Sequence, residues 1–493
     1  MNEDASTPED LGSERDSDRL NAGEGRGASE AEAALEIEPD VADRDMDGSI
    51  SNSPALTVEG VAEHNQSPSL PFPVVAFGAS AGGLQAFREI LENLDPNTGM
   101  AFVLVTHMAP DQKSFLSEIV ERYTKMPVSH IEDGTRPEPN HLYVLLPNQF
   151  ASLSNGVFHV KPLPEGERFP KTIDQFFYSL AADHAIGVVL SGADGDGALG
   201  LKTIKGEGGI ALVQSPDSAV QSGMPLSSIA ADHVDLVVPP AELAVELARL
   251  AHQFSIPQMR SLDEGEISPD EEQSYKKILQ LLRSLSGLDL RQFKPETVRR
   301  RIARRMLLLH MDHLGQYLRF LQVRADELRT LQQDVLINVT RFFRDPGFWD
   351  SLKMTVLPML MEERAPERPI RIWCAGCSTG EEAYSLAITI LEYLSHSGLD
   401  TPIQVFGTDA SDSSIETARN AIYPETISAE VSPERLRRYF VKVDRGYQIS
   451  KRVRDLCIFA RQNLASDPPF SHIDILSCRN VMIYFSQPLQ RQV

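Results

Sequence analysis

A chain of 493 residues with 42% hydrophobic and 24% charged residues has an ordinary globular composition and is long enough for two to four domains. No apolar run reaches the roughly 18 residues that a membrane helix needs, and the first ten residues lack the features of a secretory signal. We therefore expect a cytoplasmic protein without direct membrane insertion. The cysteines, Cys374, Cys377, Cys457 and Cys478, are too few and too clustered for a disulfide framework.

The first 70 residues carry much of the net charge of −23, because they hold 18 Asp and Glu residues against 4 Arg. They contain no aromatic residue and are rich in Ser, Gly and Ala, so they cannot bury enough apolar surface to offset chain entropy. We predict a disordered acidic leader over residues 1–70. The acidity then says little about the partners of the folded part.

Residues 71–250 alternate short apolar strands with amphipathic helices, which predicts a parallel sheet covered on both faces. Helices are predicted at 84–94 and 113–123. The predicted strands lie at 74–77, 101–105, 141–147, 187–190, 210–213 and 234–238.

The rest of the chain divides into a charged linker at 251–273, a helical domain at 274–345 and a second βα domain at 346–493. In that last domain, strands are predicted at 370–373, 403–406 and 473–476, with a helix at 381–393. The predicted fold class is α/β, with two doubly wound parallel-sheet domains, the second of them Rossmann-like, joined by a small all-helical domain.

The first candidate site is the Gly-rich turn at 78–83, where Ser80 follows a strand and precedes a helix. Ligands bind at the carboxyl ends of parallel strands, and a serine nucleophile needs a base and an orienting acid. His107 and Asp196 also follow predicted strands and supply those groups. From spacing alone, a phosphate-cradling turn and a plain turn remain alternatives.

These residues resemble the chemotaxis-receptor protein-glutamate methylesterase family, the CheB type. The matching segments over residues 72–245 are 77–83, 106–107, 191–200, 222–225 and 234–239. The resemblance implies that Ser80 is the nucleophile, His107 the general base and Asp196 the orienting acid, with Asp194 as a rival to Asp196. The family's methionine near the oxyanion hole is replaced by Ala193. Family members usually carry a receiver domain ahead of the esterase, whereas only the acidic leader precedes it here, so regulation must come from elsewhere.

The second candidate site is the turn at 374–380, which follows a strand and opens a helix that begins Glu381-Glu382. Small residues allow a ligand to approach the backbone, and Asp409 ends the next strand, where nucleoside ligands often find a carboxylate. Plain loop residues on a Rossmann-like sheet are the alternative. The Cys374-x-x-Cys377 pair is interpreted as packing in this turn, without metal or redox chemistry.

From residue 274 onward the chain resembles the chemotaxis-receptor methyltransferase family, the CheR type, at 338–344, 375–382, 406–409, 462–464 and 478–485. The resemblance implies an S-adenosylmethionine pocket and a substrate carboxylate that faces Tyr484 and Arg479. The implied pocket residues are Asn338, Thr340, Arg344, Glu382, Asp409, Asn463, Leu464, Cys478 and Arg479.

The predicted helix at 297–309 is strongly basic, with Arg299, Arg300, Arg301, Arg304 and Arg305 around one apolar face. A solvated face is one interpretation. Docking of an acidic receptor helix is the other, and the resemblance favours it. We do not expect nucleic acid binding, because no aromatic residues are interleaved with the charge.

Together the two resemblances imply a bifunctional chemotaxis-type signalling enzyme. It would hydrolyse glutamate methyl esters on a methyl-accepting chemoreceptor or a similar protein, possess glutamine deamidation as a chemically related activity, and methylate receptor glutamates with S-adenosylmethionine. The family continues past Phe485 with a helix and final strands, so we expect 346–493 to fold poorly alone or to bind the cofactor weakly. The alternative is a non-enzymatic sensory or assembly platform with an inactive methyltransferase half.

Overall fold

The computed structural model describes residues 70–107, 116–163, 171–180, 185–231, 234–256, 268–336, 339–362, 364–365, 367–444 and 446–493. The predicted leader up to residue 69, the start of the helix predicted at 113–123, and residues 257–267 of the predicted linker lie outside these residues. Within the described ranges, no helix has both the length and the apolar character that crossing a bilayer would require.

The first domain is built on a parallel sheet, as predicted, and the sheet has seven strands in the spatial order β3-β4-β2-β1-β7-β8-β9, of which β3 was not predicted. A short antiparallel hairpin, β5-β6, was not predicted. The strands are β1 (Val74–Ala79), β2 (Ala101–Thr106), β3 (Val128–His130), β4 (Leu142–Val144), β5 (Gln149–Ser154), β6 (Val157–Pro162), β7 (Ala185–Val189), β8 (Ile210–Gln214) and β9 (Leu236–Val238).

Helices cover both faces of this sheet, and alternate strand residues feed two apolar cores. On one face, Phe77 and Phe102 pack with Phe87 and Ile90, while on the other Phe176 and Phe177 pack with the opposite strand residues. The helices are α1 (Gly83–Asn93), α2 (Leu116–Val120), α3 (Thr172–Ser179), α4 (Ala198–Gly206), α5 (Gly223–Ala230) and α6 (Pro240–Phe254). The parallel sheet covered on both faces is therefore confirmed.

The helical domain begins at Ser268, which caps its first helix in a reciprocal capping box with Glu271. Its helices are α7 (Pro269–Ser286), α8 (Pro295–Leu308), α9 (Leu314–Val323) and α10 (Ala325–Val335). The prediction of helix up to residue 345 was wrong at its end, because residues 339–345 are irregular. There Phe343 and Asp345 have positive φ, which a helix cannot accommodate.

The second sheet is parallel and four-stranded, in the order β15-β11-β10-β16, with a three-stranded antiparallel sheet, β12-β14-β13, beside it. The strands are β10 (Ile370–Ala375), β11 (Ile403–Asp409), β12 (Ile422–Tyr423), β13 (Phe440–Val443), β14 (Gly446–Ile449), β15 (Cys457–Arg461) and β16 (Ile475–Ser477). The helices are α11 (Pro346–Ser351), α12 (Leu357–Glu362), α13 (Glu381–Ser397), α14 (Asp412–Asn420), α15 (Pro433–Tyr439), α16 (Lys451–Arg454) and α17 (Gln487–Gln492).

The first domain and the helical domain share one apolar core. Leu243 and Leu247 of α6 belong to the same buried cluster as Ile278 of α7 and Ile302 of α8. Arg249 of α6 also donates a hydrogen bond of 2.9 Å to the carbonyl of Leu307. The two domains are therefore packed together along α6 and do not simply follow one another along the chain.

Candidate active sites

Ser80 lies directly after β1, in the sharp turn that leads into α1. Its amide donates to the Ser191 carbonyl at 2.9 Å, and its carbonyl accepts from the Gly83 amide at 2.9 Å. Gly82 has φ 80°, and a Cβ there would lie 2.8 Å from Ser191 Oγ, so the turn requires glycine at this position. Small residues are needed in this turn because it packs directly against Ser191, which follows β7.

His107 is brought to Ser80 by strand pairing. Ala79 of β1 is the register partner of Thr106 of β2, and the His107 amide donates to the Ala79 carbonyl at 3.2 Å. The two predicted residues therefore follow adjacent strands at the same edge of the sheet. Among the described residues no hydrogen bond joins the Ser80 hydroxyl to His107, so the structure shows neighbours and not a closed serine–histidine pair.

Asp196 contacts the imidazole directly, with 2.7 Å between its Oδ2 and His107 Nε2. Its carboxylate is fully buried and also accepts from the amides of Ile173, Asp174 and Gly197 at 2.9–3.0 Å. Burial alone would raise the pKa of Asp196, but the hydrogen bond and charge of His107, together with these amides, hold it below its ordinary value.

The same pairing acts on His107 in the opposite direction. Burial favours the neutral ring, but the hydrogen bond to Asp196 and the charges of Asp196 and Asp194 outweigh it and raise the pKa of His107 above its ordinary value. A histidine whose protonated form is stabilised by a buried carboxylate is suited to accept a proton from a hydroxyl.

Asp194, the rival acid, occupies a different position around the same ring. Its Oδ2 lies 3.5 Å from His107 Nδ1, and its side chain is 43% exposed. Its Oδ1 accepts from the Asp196 amide at 3.1 Å. Asp194 thus approaches the ring nitrogen that Asp196 leaves open, and it lacks the burial and the backbone contacts that fix Asp196.

The oxyanion side is built from the turn and from α5. No described residue accepts a hydrogen bond from the amides of Ala81 or Gly82, which precede the first turn of α1. A Cβ on Gly192 would overlap the Met224 thioether and lie 2.9 Å from Ser80 Cβ, so Met224 borders the same space as the serine. Although Ala193 stands where the family has a methionine, the structure places another methionine, Met224, beside Ser80. Met224 was not assigned to this site from the sequence.

The second site is a cavity of about 1090 Å³, measured out to its open mouth, between the helical domain and the carboxyl edge of the second sheet. Eight predicted residues line it: Thr340, Arg344, Glu382, Asp409, Asn463, Leu464, Arg479 and Tyr484. Cys478 does not line it and instead packs against a small core formed with Trp373 and Phe406. Asn338 lies outside the described residues.

Two carboxylates line this cavity and form hydrogen bonds with the elements around it. Asp409 accepts from the amides of Ser378 and Ser411 at 2.9 Å each, which ties the end of β11 to the small-residue turn. Burial raises the pKa of Asp409 despite these contacts. Glu382, in the first turn of α13, accepts from the Ser477 hydroxyl at 2.6 Å and lies 3.5 Å from Arg479 Nη1.

The guanidinium of Arg479 is fixed by contacts with Arg344, Asp345 and Phe348. Its Nη2 donates to the Arg344 carbonyl at 3.1 Å and to Asp345 Oδ2 at 2.7 Å, and its guanidinium lies 4.1 Å from the Phe348 ring centroid. Its Nη1 is buried and lies 3.5 Å from the Glu382 carboxylate, but it makes no hydrogen bond within the described part of the chain. The guanidinium is therefore oriented and keeps one donor without a hydrogen-bond acceptor among those residues.

The lining contains further buried polar atoms without a partner among the described residues: Ser378 Oγ and Gln462 Oε1. Buried polar groups are normally hydrogen-bonded, so three orphaned atoms around one cavity indicate a polar ligand. Positive φ at Ser378 and Asn480 places backbone strain in the lining itself. A ligand with a carboxylate, an ammonium and hydroxyl groups fits this donor and acceptor set.

The Cys374–Cys377 pair is buried in this turn, and burial is the main reason that the pKa of both thiols is well above the ordinary value. Such thiols are inert packing groups, which agrees with the predicted role. In the described part of the chain, no group of three or more His, Cys, Asp or Glu residues could hold a metal ion.

Sequence reasoning missed the part of the lining that comes from the helical domain, including Leu288, Phe293 and Leu336. Their apolar periodicity indicates core packing, and nothing in it distinguishes a core position from a cavity wall. Gln462 and Ser378 were within matched motifs but were not singled out, and only their unpaired atoms in the folded chain identify them.

The first site has the parts of a serine hydrolase, and the second has the form of a nucleotide-like cofactor pocket on a Rossmann-like sheet. Family models agree: the CheB methylesterase model matches residues 75–247. The CheR methyltransferase all-alpha domain matches 273–336, and the CheR methyltransferase SAM binding domain matches 338–493. The chain therefore belongs to the chemotaxis protein methyltransferase family, in a form that carries a CheB methylesterase domain ahead of the CheR domains.

Individual relatives cover different parts of the chain. A 104.1 kDa uncharacterized protein of Rhodobacter capsulatus is 33% identical over 400 residues, which are 76% of this chain and 42% of that protein. A chemotaxis protein methyltransferase of Vibrio parahaemolyticus is 34% identical over 228 residues, 45% of this chain and 82% of that protein. The crystal structure of the Thermotoga maritima CheB methylesterase catalytic domain is 26% identical, with a TM-score of 0.35, and covers 36% of this chain and 98% of that one.

Proposed function

We propose that this chain removes methyl esters from protein glutamates with its first domain and forms them with its last. The observation that carries the first activity is the contact between His107 and the buried Asp196 at the sheet edge that also holds Ser80. The second rests on a cavity lined by Glu382, Asp409 and buried polar atoms that have no hydrogen-bond partner among the described residues.

In the hydrolase domain, His107 takes the proton of the Ser80 hydroxyl as the serine oxygen attacks the ester carbonyl. Asp196 holds the ring in one tautomer and stabilises its charged form. The amides of Ala81 and Gly82, beside the N-terminus of α1, face the developing oxyanion. His107 then returns the proton to the departing methanol, and water releases the glutamate from the acyl-enzyme by the same route.

In the methyltransferase domain, S-adenosylmethionine would supply an electrophilic methyl group on a sulfonium. Glu382 and Asp409 would hold its ribose and ammonium groups, and Arg479 would orient a carboxylate. A glutamate acceptor is already ionised at neutral pH, so no strong base is needed. Tyr484, Arg479 and the surrounding lining therefore act by positioning the acceptor and excluding water.

The proposed acceptor is a methyl-accepting chemoreceptor or a protein of similar chemistry, reached in the cytoplasm. Receptor glutamates modified in both directions would use both domains, and this is why one chain would carry the two sites. Because glutamine amides react through the same acyl-enzyme, release of ammonia is the expected side activity of the hydrolase site.

Methanol release from a methyl-esterified receptor fragment tests the hydrolase. Wild type should release methanol, Ser80→Ala should not, and Ser154→Ala should equal wild type because Ser154 is an exposed serine on β5, away from the site. Equal rates for wild type and Ser80→Ala would reject the serine mechanism. Incorporation of labelled methyl from S-adenosylmethionine into the same fragment, measured in the Ser80→Ala background, tests the transferase.

A further inference from the structure

Asp174, in the first turn of α3, carries a buried carboxyl group that the proposed esterase mechanism does not use. The residue is only 2% exposed. Its Oδ1 accepts a hydrogen bond of 2.7 Å from the Gly200 amide, in the first turn of α4. Burial of a carboxyl group costs free energy unless its oxygens find partners, so this contact between the two helices is a specific feature of the fold.

The start of α3 binds the Asp196 carboxylate in return. The amide of Asp174 donates to Asp196 Oδ1 and the amide of Ile173 donates to Asp196 Oδ2, both at 2.9 Å. Asp196 itself lies in the loop that leads into α4. The two helix starts are therefore connected twice: α3 amides bind the aspartate that precedes α4, and an α4 amide binds the aspartate of α3.

Close packing fixes the distance between these two helix starts. A Cβ on Gly200 would overlap the Phe177 side chain of α3. A Cβ on Gly197, which has φ 90°, would lie 2.9 Å from Ile173 Cγ2. Any larger residue at these positions would push α3 away from α4 and would carry its amides away from Asp196. The hydrogen bond between Asp174 and Gly200 lies within this contact and holds it closed.

The surroundings of Asp174 favour its neutral form. Burial is the main reason that the pKa of Asp174 lies well above its ordinary value, and the negative charge of Asp196 is the next. The Gly200 amide and the charge of Lys171 act in the opposite direction and do not outweigh them. A neutral carboxyl group has one donor and one free acceptor oxygen, so it can accept from Gly200 and donate to Asp196 at the same time.

We propose that Asp174 is a positioning residue of the esterase: its carboxyl group fastens the start of α3 to α4, so that the α3 amides hold Asp196 in the orientation that His107 requires. The inference rests on the proposed roles of His107 and Asp196. Asp174 acts through Asp196, whose Oδ2 lies 2.7 Å from His107 Nε2. Without the carboxyl group at position 174, Asp196 shifts and the charged imidazole loses part of its stabilisation.

Methanol release from the methyl-esterified receptor fragment separates this role from substrate binding. Asp174→Ala should lower kcat about tenfold and leave KM unchanged, because one buried hydrogen bond behind the orienting acid is lost. Asp174→Asn should keep the wild-type kcat, since an amide has nearly the shape of a neutral carboxyl group and offers an acceptor and a donor in the same places.

Ser179→Ala is the matched control for these variants. The Ser179 hydroxyl donates to the Phe176 carbonyl at 2.6 Å and accepts from the Leu153 amide at 2.9 Å, at the opposite end of α3 from Asp174. The substitution removes a side chain that binds backbone groups within the same helix and the same domain. It should leave both kcat and KM at their wild-type values.

Titration of the His107 ring by nuclear magnetic resonance tests the position of Asp196 without catalysis. The full chain carries isotope-labelled histidine, and the His107 signal is the one that is missing in His107→Gln. Asp174→Ala should lower the pKa of His107 toward its ordinary value of 6.5, because a displaced Asp196 stabilises the charged ring less. Asp174→Asn and Ser179→Ala should leave this pKa at the wild-type value.

Two results would overturn the proposal. An unchanged pKa of His107 in Asp174→Ala, or an equal fall in Ser179→Ala, would leave Asp174 with a structural role only. An equal fall in Asp174→Asn would show that position 174 acts through a negative charge. Asp174→Leu has a similar volume without a polar atom and should behave like Asp174→Ala, so it decides the question if the alanine variant does not fold. If wild type releases no methanol, the proposed esterase activity fails, whereas the histidine titration still decides whether Asp174 positions Asp196.

Discussion

Arg304 of α8 and Asp235 of the esterase domain form an ion pair in which neither side chain is more than 2% exposed. Arg304 also donates to the Gly209 carbonyl at 2.8 Å and to Asp334. Asp235 in turn accepts from the Ala211 amide at 2.9 Å. Burial raises the pKa of Asp235, but the charges of Arg304 and Lys205 and these hydrogen bonds hold it below its ordinary value.

Removing one partner of this pair should destabilise the junction strongly, because the other charge remains buried. Arg304→Ala should lower the free energy of unfolding by about 3–5 kcal/mol, measured by urea denaturation followed by circular dichroism. Arg291→Ala is the matched control, since Arg291 belongs to a surface pair with Asp289 and should have little effect. A loss in Arg304→Ala no larger than in the control would contradict a structural role for the pair.

Substitution of the two aspartates next to His107 should have different effects on kcat in a methanol-release assay. Asp196→Asn should reduce kcat by about 10⁴, because an amide at Nε2 favours the wrong tautomer. Asp194→Asn should change kcat by less than about tenfold, since an exposed carboxylate 3.5 Å from Nδ1 contributes mainly through its charge. Larger damage from Asp194→Asn would reverse the assignment of the orienting acid.

Asp196 also illustrates what the sequence could predict. Its position after a strand, and that of Ser80 and His107, follow from the alternation of apolar strands and helices, so the location of all three residues at one sheet edge was predictable. That Asp196 rather than Asp194 is buried depends on the amides of Ile173 and Asp174, which come from a helix about 20 residues earlier. No local pattern encodes such a contact.

The burial of arginines in the basic helix α8 also could not be predicted from the sequence. Its five arginines were predicted to be solvated or to bind an acidic receptor helix. The solvated interpretation was wrong for Arg301 and Arg304, which are 3% and 2% exposed. Amphipathic periodicity identifies an apolar face but cannot show that a neighbouring domain will cover the charged one.

Activity of the hydrolase should depend on pH through His107, whose pKa is raised. The base must be neutral, so kcat/KM should rise with pH through a midpoint above the ordinary value of 6.5. In Asp194→Asn the midpoint should move down, because one negative charge that raises the pKa is removed. The free energy of unfolding should change with pH in the opposite direction to activity. The stabilisation that comes from the raised pKa of His107 is fully present below pH 6.5 and is lost as the pH rises through the pKa of His107 in the folded chain. A midpoint at or below the ordinary value would contradict the His107–Asp196 pairing.

Binding of S-adenosylmethionine should depend on the guanidinium shape of Arg479 and not only on its positive charge. Arg479→Lys keeps a cation but cannot contact Arg344, Asp345 and Glu382 at once, so affinity for S-adenosylmethionine should fall about tenfold or more in isothermal titration. Cys478→Ala is the control, because Cys478 packs behind the cavity and does not line it. Comparable losses in both variants would show that packing, not Arg479, determines binding.

Glu430 should make the stability of the methyltransferase half fall as pH rises through neutrality. It is partly buried beside Lys202, Glu381 and Arg341, and accepts from the Phe342 amide at 2.9 Å. Burial raises the pKa of Glu430 from 4.5 to about 7. A raised carboxyl pKa favours the protonated folded state, so this contribution is fully present below pH 4.5 and is lost as pH passes through about 7.

The shift corresponds to about 3 kcal/mol between the two limits. Melting temperatures measured at about pH 5 and about pH 8 should therefore differ in wild type, and the difference should shrink in Glu430→Gln, whose amide oxygen can still accept from Phe342. Glu434→Gln, at an exposed position in α15, should keep the wild-type difference. If Glu430→Gln retains the full pH dependence, the titrating group lies elsewhere, and Glu430 is ionised in the folded chain because Lys202 and Arg341 compensate for its burial.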